Sequence, residues 1–180
     1  MIRWILMVAL LIAPTTAMTQ TRTGSIEARL ERVEAEIAIR NILNNYANFF
    51  NNRDYDACVS LFAPDGEYAD ADAGYKGQVA IHRMLESLAG TAAAPNRLDY
   101  HIVSNPRVDF DGDRATVTSR YLIMMRGPNG MPMPSMAGGY RDEFVRLNGE
   151  WKILRRVAED IVKPTSEQWQ KIVADPKVTK

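Results

Sequence analysis

Asn148-Gly149 stands between two runs of strand-forming residues, Gly138 to Leu147 and Glu150 to Ala158, and it constrains the fold more than any other feature of the chain. An Asn-Gly pair accepts the positive φ that a tight two-residue turn demands, which makes it the strongest short hairpin signal. Two further strand signals precede it. Tyr100 to Val103 continues through Ser104-Asn105-Pro106 into Arg107 to Phe110; Asp111-Gly112 then turns the chain into Arg114 to Met125, a long β-branched and aromatic run. Apolar residues at helical spacing fill most of the sequence before Gly90. The expected fold class is therefore α+β, with three N-terminal helices packed on a strongly curved antiparallel sheet.

The helical half begins after a Thr-rich stretch, residues 18–24, that reads as a flexible leader. Ser25 is a good N-cap with Glu27 in the first turn. Ile26, Leu30, Val33 and Ile37 follow at helical spacing, and Ile39, Ile42, Leu43, Tyr46, Phe49 and Phe50 extend the stripe to a polar break at Asn51-Asn52-Arg53-Asp54. A short second helix is expected over Asp54 to Phe62, a turn over Ala63 to Gly66, and a strand or strand-like arm over Glu67 to Ala73. Lys76-Gly77-Gln78 opens a third helix in which Val79, Met84, Leu85 and Leu88 share a face, and Gly90 to Asn96 reads as a loop. Gly127 to Met136 carries three prolines and three methionines, suiting either a pocket lid or a long hairpin loop against a neighbouring subunit.

Residues 1–17 read as an address. Arg3 gives a short positive start, Trp4 to Ala13 an apolar run, and Pro14 to Ala17 a small-residue site where a signal peptidase would cut. The run is short for a membrane span, so the mature chain is expected to be periplasmic or secreted and free of the membrane. Residues 25–162 then form one domain and 163–180 a C-terminal tail. With 22 basic and 22 acidic residues and no long run of like charge, a nucleic-acid partner is not expected. Cys58 is the one cysteine, so no internal disulfide is possible, and its apolar surroundings read as core. Two histidines with 18 residues between them, and no Cys or carboxylate cluster at ligand spacing, give no metal site, and no phosphate loop or nucleophile elbow is present. Cofactor-independent chemistry remains.

Several local words occur in an order that resembles the SnoaL-like and scytalone-dehydratase-like domains of the nuclear-transport-factor-2-like superfamily. They are Phe50 to Asp56, Leu61 to Gly66, Tyr75-Lys76-Gly77, His101 to Pro106, Gly112 to Val117 and Asn148 to Ile153. The resemblance runs over roughly residues 26–160 and includes relatives such as scytalone dehydratase, hexachlorocyclohexane dehydrochlorinase, ketosteroid isomerase and polyketide cyclases. It implies a cone enclosing an internal pocket for a small apolar organic ligand, and a homodimer or homotrimer. Folds of this kind host several chemistries, so function must be argued from the site.

The resemblance implies roles for particular residues. His101 matches the general-base histidine of the dehydratase-like and dehydrochlorinase-like members, and a neutral imidazole suits that task. Those relatives orient the histidine with an aspartate where this chain has Asn51, which can hold a ring but cannot neutralise an imidazolium. Asp70 shares one side of the arm with Tyr68 and is expected either to replace that carboxylate or to be a solvated arm residue. Tyr46, one helical turn before Phe50, faces the cavity mouth or belongs to the core. Tyr140 and Arg156 match cavity-facing positions, where Arg156 could meet a developing anion, although a one-residue register error would exchange it with Arg155. Phe50, Tyr68, Met124 and Tyr140 are expected to line the substrate site, and His82 to be solvated. The leading expectation is a dehydratase-like lyase acting on a small hydroxylated aromatic, terpenoid or polyketide-like compound. The alternatives are an isomerase or cyclase on the same scaffold, and a non-catalytic binding protein.

Overall fold

The computed structural model describes residues 18–70, 73–90, 100–126 and 131–162. The expected signal segment, most of the loop after Gly90, residues 127–130 of the Met- and Pro-rich segment, and the tail after Val162 fall outside these. The chain divides into two units, residues 1–34 and 35–180.

The described part of the first unit belongs to helix α1, Met18–Asn51. The helix starts at Met18, so Ser25 lies inside it instead of capping it, and the stretch expected as a leader supplies its opening turns. Once a helix exists, adding Thr and Ser costs only their weak propensity, far less than nucleation. Ile26, Leu30 and Val33 are all more than half exposed, contrary to the single core stripe that the spacing suggested. In the second unit the rest of α1 buries Ile39, Leu43, Tyr46 and Phe50. The step from Ile37 to Ile39 turns about 200° around the helix, which puts the exposed Ile37 and the buried Ile39 on opposite sides.

α1 ends as its polar break predicts. Arg53 takes φ 60°, its N–H donates to the Phe50 carbonyl and that of Asp54 to the Phe49 carbonyl, the Schellman pattern that satisfies the last carbonyls. Asp54 then caps α2, Tyr55–Ser60, by accepting from Ala57 N at 3.0 Å. β1 (Phe62–Ala69), β2 (Gly74–Lys76) and α3 (Gln78–Ala89) follow. Residues 63–66, expected as a turn, lie within β1, where pairing with its neighbour slips between Phe62 and Glu67. α3 buries Ile81, Met84, Leu85 and Ala89; Val79, on the far side from Ile81, and Leu88 are exposed.

β3 (Tyr100–Asp111), β4 (Arg114–Arg126), β5 (Pro132–Leu147) and β6 (Glu150–Val162) complete a six-stranded sheet of order β2-β1-β6-β5-β4-β3. The sheet is curved and does not close on itself. Its pairs are antiparallel except β1 with β6, a parallel pair that the sequence did not suggest. Parallel pairing needs a long connection, and α3 with the four strands β2 to β5 supplies one. Asn148 and Gly149 adopt φ 51° and 86°, and Leu147 pairs with Glu150 across the expected hairpin. Pro132 and Pro134, expected to break regular structure, sit in β5 beyond Ala137, the last β5 residue that pairs with β6 among the described residues. A missing N–H costs no ladder bond on such an edge.

Register slips interrupt the pairing of β1 with β6, β3 with β4, β4 with β5, and β5 with β6. Bulges of this kind bend strands, which accounts for the curvature. The inner face is apolar over most of its area: Ala115, Val117, Tyr121, Ile123 and Met125 alternate inward along β4, opposite Phe144, Trp151 and Ile153.

Candidate functional site

A single bulge decides which arginine enters the interior. Leading away from the hairpin, Phe144 pairs with Ile153, but Glu143 pairs with Arg155, leaving Leu154 as the extra residue. Strict alternation from Trp151 and Ile153 would turn Arg155 inward. The bulge instead turns in Arg156 and Ala158, and Arg155 lies 3.6 Å from Glu67 with its side chain partly exposed.

A buried guanidinium needs a partner. Asp142 lies directly across the ladder from Arg156, and both side chains are 0% exposed. Arg156 Nε donates to Asp142 Oδ1 at 2.7 Å and Nη2 donates to Oδ2 at 2.8 Å, a bidentate fork. The guanidinium also lies between two rings, its Cζ 4.2 Å from the Tyr46 centroid and 4.3 Å from that of Tyr140. Burial works against the charge, but the carboxylate and its hydrogen bonds, then Tyr46 and Tyr140, outweigh it and raise the pKa of Arg156 above its ordinary value.

His101, on β3, is 2% exposed. Its Nε2 lies 3.2 Å from the Tyr140 hydroxyl, and its ring meets Phe50, Tyr46 and Tyr121 edge to face at 5.1, 5.8 and 5.9 Å between centroids. Burial, reinforced by the charge of Arg156, pushes its pKa down to about 3, so the imidazole is neutral at ordinary pH. Tyr68 also interacts with Tyr140, and Tyr46 with Arg156. Burial raises the pKa of all four tyrosines around the ion pair, with Tyr121 reaching about 12 under the added influence of Asp70. The cluster is thus one compensated ion pair among neutral phenols and a neutral imidazole.

Three buried polar atoms in this region have no hydrogen-bond partner: His101 Nδ1, Arg156 Nη1 and Ser119 Oγ. Ser119 lies across the ladder from Tyr140. An unsatisfied buried polar atom costs about 1–3 kcal/mol, so three in one neighbourhood mark a place where a ligand or water can be held.

The structure brings His101, Tyr46, Arg156, Phe50, Tyr68 and Tyr140 together. It uses Asn51 differently. The Asn51 amide donates from Nδ2 to the His101 carbonyl at 3.1 Å and accepts from the His101 N–H at 2.7 Å, so it fixes the strand backbone and not the ring. The Asp70 carboxylate accepts from Ala73 N at 2.9 Å where β1 turns into β2, and its charge acts on Tyr68 and Tyr121. The charge that acts on His101 is that of Arg156. Met124 is not a lining residue: the inward positions of β4 are Ser119, Tyr121, Ile123 and Met125, which leaves Met124 on the opposite face. His82, expected in solvent, is half-buried, with Nε2 3.4 Å from Asp56 and its ring against Tyr55. Cys58 is buried, and burial followed by Asp54 pushes its thiol up to about 12, a core residue and not a nucleophile.

Sequence reasoning missed Asp142, Tyr121 and Ser119. Asp142 carried a signal, since it shares strand parity with Tyr140 and Phe144 and a carboxylate between two inward aromatics needs a cation. Among the described residues, no group of three His, Cys, Asp or Glu side chains is placed to hold a metal ion, and no helix is long and apolar enough to cross a membrane.

The sequence profile of the SnoaL-like domain matches residues 31–157. No curated protein sequence matches the chain. Among solved structures, an NTF2-like protein with a cystatin-like fold from Novosphingobium aromaticivorans is similar with a TM-score of 0.69 at 22% identity, over 87% of this chain and 97% of that one. LinA is similar with a TM-score of 0.63 at 19% identity, over 77% of this chain and 95% of that one. ActVI-ORFA from Streptomyces coelicolor is similar with a TM-score of 0.62 at 18% identity, over 69% and 96%. At these identities the likeness is one of fold.

Proposed function

The chain belongs to the SnoaL-like domain family, and from that premise and the buried polar cluster we propose that it acts, without a cofactor, on a small neutral organic compound carrying a carbonyl or hydroxyl oxygen. The observation that carries this reading is the pair of unpartnered buried atoms, His101 Nδ1 and Arg156 Nη1, in one cluster whose only charges compensate each other. The Arg156 charge is already met by Asp142, so an anionic ligand would leave a net buried negative charge, whereas a neutral acceptor would not. The wider family resemblance to lyases and the hydroxyl-rich lining favour loss of water from a hydroxylated aromatic, terpenoid or polyketide-like substrate.

In that reaction His101 takes the proton from the carbon beside a carbonyl, a carbon–carbon double bond forms, and the hydroxyl two carbons from the carbonyl leaves as water with a proton supplied by a tyrosine. Arg156 meets the charge that develops on the carbonyl oxygen, which a fixed donor stabilises without rearrangement. His101 can act as base when its Nε2–H donates to Tyr140, because Nδ1 then carries the lone pair. An isomerisation would use the same proton abstraction. The test is turnover of a β-hydroxytetralone, whose loss of water to a naphthol is followed by absorbance. His101→Gln is expected to lower the rate about 100- to 10,000-fold while affinity for naphthol changes little. An unchanged rate in that variant overturns the catalytic role.

A second reading, a non-catalytic binding protein, is favoured by one specific observation. Among the described residues no carboxylate hydrogen-bonds the His101 ring, and an imidazole with a pKa of about 3 is a weak base. Absence of turnover with naphthol binding intact selects it. For location, the apolar run Trp4 to Ala13 followed by Ala17 supports export to the periplasm or beyond, and N-terminal sequencing of the mature protein tests this by a start at Met18.

A further inference from the structure

Neither the buried ion pair nor the imidazole base accounts for Ser119. It lies on β4 at 5% exposure, and its Oγ has no hydrogen-bond partner among the described residues. Val117, Ser119, Tyr121 and Ile123 take successive inward positions on that strand. Val117 pairs with Asp142, Ser119 with Tyr140, and Ile123 with His101. The hydroxyl is therefore set on the inner face between the row of the buried ion pair and the row of the imidazole. On the Tyr140 ring of its own row, Arg156 packs with Cζ 4.3 Å from the centroid and Tyr121 stacks at 4.5 Å.

Packing gives no reason for a hydroxyl here. An alanine would fill the same position with no polar atom to desolvate, whereas a buried unpaired hydroxyl costs stability. The three unpartnered atoms also differ in what they can bind. Arg156 Nη1 can only donate, and His101 Nδ1 only accepts while its Nε2–H donates to Tyr140; Ser119 Oγ can do either. A ligand with a single oxygen held by Arg156 leaves Ser119 unpaired. A second oxygen removes that penalty.

We propose that Ser119 is a specificity-determining contact whose hydroxyl binds a second oxygen of the ligand, so that the site selects apolar ring compounds carrying two oxygen functions over those carrying one. This selectivity rests on the cluster being the ligand site, as proposed above, and it holds whether or not the bound compound turns over. Discrimination comes from a buried polar group that the poorer ligand leaves unpaired. One such hydrogen bond is worth about tenfold in affinity.

Calorimetric titration of the protein with naphthol and with the naphthalenediols, under argon to keep the diols reduced, reads the selectivity. At least one diol is expected to bind the wild type about tenfold more tightly than naphthol. In Ser119→Ala that advantage should vanish, and the ratio of the two affinities reports it independently of any general loss of folded protein. The melting point of ligand-free Ser119→Ala should hold or rise, because the variant deletes an unpaired buried group. Three results overturn the proposal: equal binding of naphthol and every diol by the wild type, a diol preference that survives Ser119→Ala, or a fall of several degrees in the ligand-free melting point. The last would mean that the fold itself uses the hydroxyl. Binding of neither naphthol nor any diol overturns the cluster as a ligand site, and the selectivity with it. A diol preference that depends on Ser119 without turnover supports the selectivity and removes the catalytic reading alone.

Discussion

Replacing Asp142 with alanine removes both hydrogen bonds that the buried guanidinium of Arg156 makes to a carboxylate, at 2.7 and 2.8 Å, and leaves its charge at 0% exposure. Breaking a buried pair in this way costs about 3–5 kcal/mol, since the remaining ion keeps its desolvation cost and loses its partner. The two tyrosine rings that sandwich Arg156 offset none of this, because the wild type has them as well. For a chain of 180 residues each kcal/mol moves the melting point by about 2–4 °C, so Asp142→Ala should lower it by about 6–20 °C. Arg156→Met should cost a comparable amount by stranding the carboxylate. The double variant has no buried ion left and should be more stable than either single one, a coupling that a double-mutant cycle isolates. Urea unfolding followed by tryptophan fluorescence and circular dichroism gives the four stabilities. A loss below about 1 kcal/mol in Asp142→Ala, or simple additivity in the double variant, would refute the reasoning, because it would mean that water reaches the pair.

Other outcomes follow from the same geometry. The folded pKa of His101 is depressed from 6.5 to about 3, so between those values the unfolded chain binds more protons. The stability that His101 contributes is therefore complete above pH 6.5 and is lost as pH falls toward 3, by close to tenfold in the unfolding equilibrium per pH unit, and His101→Gln should flatten that part of the profile. Asn51→Asp, which restores the carboxylate of the dehydratase-like relatives, should destabilise by about 1–3 kcal/mol in thermal unfolding, since a carboxylate can accept from the His101 N–H but repels its carbonyl. Gly138→Ala would place a Cβ 2.7 Å from the Glu159 carbonyl oxygen and 2.8 Å from the Tyr121 hydroxyl oxygen. Backbone cannot yield as a flexible side-chain end can, so a loss of about 1–3 kcal/mol by urea unfolding is expected.

What the sequence made legible was local. Asn148-Gly149 announced its hairpin, the polar break after Phe50 announced the end of α1, and the long β-branched run announced β4. What it left hidden depended on register. Leu154 carries no mark as a bulged residue, yet it decides that Arg156 and not Arg155 is buried, and so places Asp142 opposite the buried cation. The parallel partnership of β1 with β6 joins residues some 90 positions apart, which no local pattern encodes. Ile37 and Ile39 look like members of one apolar stripe along the chain, yet the two-residue step between them turns the helix about 200°, and only Ile39 is buried. His101 and Phe50 were recognised through words shared with a family, Tyr68, Tyr140 and Arg156 through positions matched to it and Tyr46 through helical spacing, whereas Asp142, Tyr121 and Ser119 were missed because no word or matched position marks them.

The measurement that bears most directly on the central claim is the nitrogen NMR spectrum of the His101 ring, assigned by comparison with His101→Gln, at neutral pH and during titration with naphthol and with naphthoate. The account predicts a neutral ring in the free protein, a change at Nδ1 on adding naphthol, and no change at matched concentrations of the anion. A charged imidazolium in the free protein, or ring nitrogens that neither compound moves, would contradict it.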